Sequence, residues 1–234
     1  MSVKSGHLKM LQTGSENSRM ASIDPPITKC SLGELDFKRI INDPKLRHDL
    51  NFEREIAFRP NYDGARGVQK KATAKAYWEA LAEELTLYFA QRYELHPTAS
   101  CNAMTSELSN RHLPSSQRRL PQMFRTIKAI LKSLVPETEC FAIDQSLDVD
   151  FLLQQLEKGV CDLVSLSDWL GKLLMGSCSP CRDPLVRKMV ETIQEAASNQ
   201  DVQGLVEGIE QLFVILETMK LVSPPFGKNL EAPH

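Results

Sequence analysis

Nowhere in the chain do four to eight β-branched residues alternate between turn signals, the pattern that marks a half-buried strand. Apolar side chains instead recur every three or four positions, in runs bounded by capping residues, prolines and glycines. That spacing stacks side chains on one face of an α-helix. The chain is therefore expected to be all-α, an irregular multi-helix bundle of seven or eight helices. No fixed repeat of about 20–50 residues is visible, which argues against a regular solenoid.

Punctuation sets the expected boundaries. Residues 1–28 are polar, serine-rich and aperiodic, end in Asp24-Pro25-Pro26, and read as a disordered tail. A helical domain is expected over 29–222, and a second disordered tail over 223–234, opened by Ser223-Pro224-Pro225. Ser31 with Glu34 reads as a capping box. Residues 57–67, AFRPNYDGARG, read as a loop. The longest helical pattern follows from Val68 to about Leu95. Val68, Leu81, Leu85, Tyr88 and Phe89 lie near one face, and Glu83 and Glu84 read as a solvated one. Pro114-Ser115-Ser116 is expected to open a helix carrying Met123, Phe124, Ile127 and Ile130, ended by Pro136. Asp148 is expected to cap a helix closed by Gly159, and Ser165 with Asp168 to open another. Asp183-Pro184 opens the next, and the last runs from about Asp201 to Leu221.

The chain is long enough for a substantial core, and its formal charge of −2 argues against a strongly basic nucleic-acid binder. No window approaches about eighteen consecutive apolar residues, and the N-terminus lacks the apolar core of a signal peptide. A cytoplasmic location is expected, with the nucleus as a second compartment. The six cysteines are too few for a disulfide scaffold. Cys178-Ser179-Pro180-Cys181 has the spacing of a redox or half-zinc motif, but lacks a βαβ context and a second ligand pair. The five histidines form no ligand spacing, and no nucleophile elbow, phosphate-binding loop or calcium loop is present. No catalytic residue, cofactor or metal is expected.

Charge is unevenly distributed. Residues 60–135 carry eleven Lys and Arg against six Asp and Glu, and residues 137–168 carry one against eight. One reading is that the two segments pack together and compensate. The other is a basic surface for an acidic partner or anionic headgroup, with Arg59, Arg66, Lys70, Lys71, Arg118 and Arg119 as candidate anion- or partner-binding residues. Arg66, Lys70 and Lys71 sit near a helix start, where the macrodipole disfavours cations and favours a bound anion. Tyr77, Trp78, Tyr88, Phe89 and Tyr93 would suit base stacking, but their helical spacing fits core packing better.

The stretch LRHDLNFEREIAFRPNYDGARGVQKKATAKAYWEAL (46–81) resembles the fungal branch of the T-complex-protein-eleven family. A second block, FLLQQLEKGVCDLVSLSDWLGKLLMGSCSPCRDPLVRKMV (151–190), is similar to the segment its members share, most specifically in DLVSLSDWLGKLL and CRDPLV. LETMKL (216–221) fits as well. The resemblance implies a helical regulatory protein without enzymatic activity, working through a protein partner in cyclic-AMP and protein-kinase-A signalling. It carries over no catalytic residue. The likeness stops after Leu221, where longer members continue, so the domain is expected to be an incomplete N-terminal part. The broad apolar stripe of the last helix would then be exposed and support self-association. Two rivals stay open: an anion-dependent adaptor for phosphoinositide or RNA, and a thiol enzyme using Cys178 and Cys181.

Overall fold

The computed structural model describes residues 22–33, 64–94 and 118–222, with positions 42 and 44 in isolation. Among the described residues there is no strand. The helices are α1 (Lys29–Leu32), α2 (Gly64–Glu94), α3 (Arg119–Leu134), α4 (Glu137–Ser146), α5 (Val149–Glu157), α6 (Leu163–Ser177), α7 (Asp183–Asn199) and α8 (Val202–Val222). A 3₁₀ turn, Pro180–Arg182, joins α6 to α7. Leaving aside the four-residue α1, seven helices make the bundle, and the expected all-α class is what the chain adopts.

The centre of the bundle is α8. It packs along α7 and also against α2 and α3, while α6 backs α7, and α5 closes on α2 and α3. Leu205, Val206, Leu212, Phe213, Ile215, Leu216 and Met219 are all buried. A stripe that wide needs cover on several sides, and helices of this same chain supply it. The expectation of an exposed apolar groove on the last helix is thus corrected: among the described side chains of α8 there is no large exposed hydrophobic. Trp78 of α2 meets Phe213 of α8 at a ring-centroid distance of 5.6 Å, and Tyr77 stands edge-on to Trp78 at 5.0 Å. Of the α2 aromatics, Tyr77, Trp78 and Tyr88 are buried in the core and Phe89 packs against it.

Amphipathicity explains α3, where Leu120, Met123, Phe124, Ile127, Ile130 and Leu131 turn inward at three- and four-residue spacing. It fails for α4, a helix the periodicity does not announce, because Ile143 is its one buried side chain. Several caps also fall differently from expectation. Thr28 and Ser31 form the capping box of α1, three residues before the expected pair. The α2 helix begins at Gly64, inside the expected loop, and Val68 is 67% exposed. The N-cap of α6 is Asp162, whose carboxylate takes the Ser165 amide at 2.9 Å. Asp148 caps α5 as expected. Gly159 adopts φ 66°, and the amides of Gly159 and Val160 return to Leu156 and Gln155. This is the left-handed helix end that favours glycine.

The segment before α1 lies against α3. Arg119 Nε donates to the Ser22 carbonyl at 3.0 Å, and Gln122 Nε2 to Asp24 at 2.7 Å. Ile27 packs on the core and Leu32 is buried within it.

Candidate functional site

Four of the six candidate residues have described side chains, and these divide between exposed and internally bonded positions. Arg59 and the side chain of Arg66 lie outside the described residues. Lys70 and Lys71 are exposed on α2. Because the helix starts at Gly64, they stand in its second turn, beyond the four amides left open at its N-terminus.

Arg118 and Arg119 are turned to internal use. Arg119 is only 6% exposed and holds the Ser22 carbonyl. Arg118 donates to the Tyr88 hydroxyl at 2.8 Å and to Glu157 at 3.3 Å, and its guanidinium stands 5.4 Å from the centre of the Tyr88 ring. One side chain thereby links α2, the start of α3 and the end of α5. Burial pushes the Tyr88 hydroxyl up, and the bond from Arg118 works against that shift.

The charge asymmetry is compensated in the same way. Asp144 of α4 takes Lys132 at 2.7 Å and Lys128 at 3.1 Å, both from α3. Together with Arg118–Glu157, these pairs tie the basic segment to the acidic one.

Glu84 is the main departure from the expected solvated face. It is 4% exposed, whereas Glu83 is exposed. Its two carboxylate oxygens accept the backbone amides of Arg119 at 2.8 Å and Leu120 at 3.1 Å. Burial raises its pKa above the ordinary carboxylate value, with the two amides and the nearby arginines opposing that rise.

The CxxC motif spans the α6–α7 junction. The Cys178 amide closes α6 onto Leu174, and its thiol, half-buried, is pushed up by burial. Cys181 is exposed, with its thiol 3.4 Å from the Ser179 hydroxyl. Among the described residues no three His, Cys, Asp or Glu side chains gather as a metal site. Nor is any described helix long and apolar enough to cross a membrane.

Two clefts open on the surface. One, of about 510 Å³, lies between α2 and α8, with Lys71, Lys75, Glu79, Glu207 and Glu210 around Trp78 and Val206. The other, of about 380 Å³, lies where α5 leads into α6 and where α7 ends, and is lined by Phe89, Cys161, Leu163, Val164, Ala197 and Leu205 among others. Sequence reading singled out Lys71 as a candidate binding residue in the first cleft, and in the second only Phe89, as a core aromatic. The signal there is slight: two exposed valines, Val160 and Val164, on either side of a helix cap.

The family model described as T-complex protein 11 matches residues 46–221. Protein SOK1 of Saccharomyces cerevisiae is 36% identical over 197 residues, which cover 84% of this chain and 20% of that protein. The chain thus spans about one fifth of the length of this curated relative. No solved structure matches at a significant level. With a match over most of its length and a relative of this similarity, the chain belongs to the T-complex protein 11 family.

Proposed function

We propose that this chain is part of a non-enzymatic regulatory protein that works by protein–protein contact in cyclic-AMP- and protein-kinase-A-linked signal transduction, in the cytoplasm. The observation that carries this reading is the family match across residues 46–221, together with the signalling role that the family resemblance implies. The likeness to the yeast protein supports it over one fifth of that protein's length. The arrangement of the bundle is compatible with it. Its polar residues serve helix ends and interhelical pairs, as Glu84, Arg118 and Asp144 do, and its clefts are open to a partner's side chains.

The rival adaptor for phosphoinositide or RNA is weaker than the sequence makes it. Arg118 and Arg119 are engaged inside the bundle, which leaves that reading with Arg59, Arg66, Lys70 and Lys71.

The test is affinity purification of the full-length protein from cells with and without raised cyclic AMP, followed by calorimetry against the catalytic and regulatory subunits of protein kinase A. Enrichment of a kinase-pathway protein and a saturable calorimetric signal are expected. Loss of both, or binding only to anionic vesicles and RNA, overturns the proposal.

A further inference from the structure

The cleft at the α5–α6 junction combines three properties. It is deep and apolar: Leu205 is 4% exposed, while Phe89, Cys161, Leu163 and Ala197 stand half-buried against the core. Its volume of about 380 Å³ suits an inserted side chain or two, near the lower end of the roughly 300–1,000 Å³ typical of ligand pockets.

Its rim is apolar and accessible. Val160 is 66% exposed and Val164 is 42% exposed, on the two sides of the Cys161–Asp162 step. Large apolar side chains held in water beside a cavity mark a contact surface more often than isolated exposed ones do.

Its mouth is negative. Asp162 lines it, with its carboxyl held below the ordinary range by the Ser165 hydroxyl and amide. Ala197 and Ser198 bring the C-terminal end of α7 to the cleft, and that helix has no basic residue in its last turn to offset the dipole. The segment of the chain to which Asp162 belongs, 137–168, contains a single base, Lys158, against eight acids. Of those acids, Asp144, Glu157 and Asp168 are paired with cations, whereas Asp162 at the mouth has no ion-pair partner among the described residues.

We propose that the cleft formed by Cys161–Val164, Phe89, Ala197 and Leu205, with the exposed Val160 next to it in the chain, docks an amphipathic helix of a partner protein, which inserts an apolar side chain flanked by lysine or arginine. Apolar depth fixes the anchor, and the negative mouth selects basic flanks over acidic ones. Helix-in-groove recognition divides its work in this way, with the anchor supplying affinity and the charges supplying choice of partner. This inference rests on the reading of the chain as a protein that works by contact, and it names the chemistry of that contact.

The experiment titrates the full chain, labelled for NMR, with a synthetic Leu/Lys amphipathic helical peptide and with its Leu/Glu counterpart. Expected shifts concentrate on residues 160–164 and 197–205. Val164→Asp should weaken binding by about tenfold or more. Asp162→Asn, which keeps the capping oxygen, should weaken it less, and the Leu/Glu peptide should bind at least about tenfold more weakly. Both residues are exposed, and thermal melting confirms that the variants fold. Equal binding of the two peptides overturns the proposal. So does an equal loss in Glu137→Gln/Glu139→Gln, which would mean diffuse attraction to acid. A sedimenting dimer abolished by Val164→Asp would put a second copy in the cleft and overturn it too. If kinase-pathway partners bind the full chain but ignore Val164→Asp, the cleft assignment fails while the functional reading stands. If no such partner binds while the Leu/Lys peptide does, the reverse holds.

Discussion

The carboxylate of Glu84 sits across the first turn of α3, with one oxygen 3.1 Å from the amide of Leu120 and the other 2.8 Å from the amide of Arg119. The residue at the N-cap position of α3, Arg118, makes no capping bond from its side chain. A helix start leaves four amides unsatisfied, and here a residue of another helix satisfies two of them. It also brings a negative group to the positive end of the dipole. This fixes where α3 begins relative to α2, and so where Arg118 can reach Tyr88 and Glu157.

Glu84→Ala should therefore destabilise the chain by about 2–5 kcal/mol, since each buried amide left without a partner costs roughly 1–3 kcal/mol. Glu84→Gln should fall between, because it keeps one of the two acceptor oxygens and turns a donor NH2 toward the other backbone amide. Urea denaturation measures the loss. Hydrogen exchange assigns it: the amides of Arg119 and Leu120 should exchange faster, while those in the middle of α7 keep their order. Uniform acceleration through the bundle would argue against a capping role.

Caps that act within three residues of themselves were legible only in part. Ser31 with Glu34 and Ser165 with Asp168 each fall three residues past the true caps, Thr28 with Ser31 and Asp162 with Ser165. The cap acting across space was not legible at all. Asp148 and Gly159 mark the two ends of α5 from local chemistry alone. The charges of Glu83 and Glu84 look equivalent in sequence, yet one is solvated and the other buried, because only the arrival of α3 distinguishes them. The same holds for Arg118 and Arg119, read as two of six candidate anion- or partner-binding residues and found bonded to Tyr88, Glu157 and Ser22. The α4 helix was hidden for another reason: with one buried side chain it has almost no periodicity to read. The candidate cleft had no motif, since a pocket made from the start of α6, the end of α7 and single residues of α2 and α8 leaves only scattered apolar residues in the chain.

Asp144 gives a pH signature. Its bonds to Lys132 and then Lys128 hold its carboxyl below the ordinary value of 3.8. A carboxyl with a lowered folded pKa contributes stability above its unfolded pKa and loses it as pH falls through the folded one. Lys132 is the mirror case: the Asp144 bond raises it above 10.5, so its contribution is present below that value and lost as pH rises through the folded pKa. Asp144→Asn should therefore flatten part of the acid limb, below about pH 4, in a plot of urea midpoint against pH. Both partners are exposed, so high salt should shrink the difference. An unchanged acid limb would show that the pair adds nothing to folding.

Thiol reactivity should follow burial. Cys30 and Cys181 are exposed, whereas burial and the adjacent Asp162 push the Cys161 thiol up to about 11, and burial also raises Cys178. The thiolate is the reacting species. With iodoacetamide at pH 8, mass spectrometry should find Cys30 and Cys181 alkylated well before Cys161 and Cys178. Early labelling of Cys161 would mean that its cleft is wetter and more open than the structure has it.

Glycines in two helices should respond to alanine with opposite signs. In α6, a Cβ at Gly176 would meet nothing within 4 Å. Alanine there should stabilise by up to about 1 kcal/mol, through higher helix propensity and a less flexible unfolded chain. In α8, a Cβ at Gly208 would collide with the Ile193 side chain of α7, close to its branch point, with the Ile193 amide nitrogen 3.4 Å away. Ile193 is itself 7% exposed and has no room to withdraw. The α7 and α8 helices would have to separate, and overpacking of that kind costs about 1–3 kcal/mol, which exceeds the propensity gain. Gly208→Ala should lower the melting temperature while Gly176→Ala raises it. A stabilising Gly208→Ala would mean that α7 and α8 do not approach as closely as the glycine allows, and the packing of the central helix would need to be redrawn.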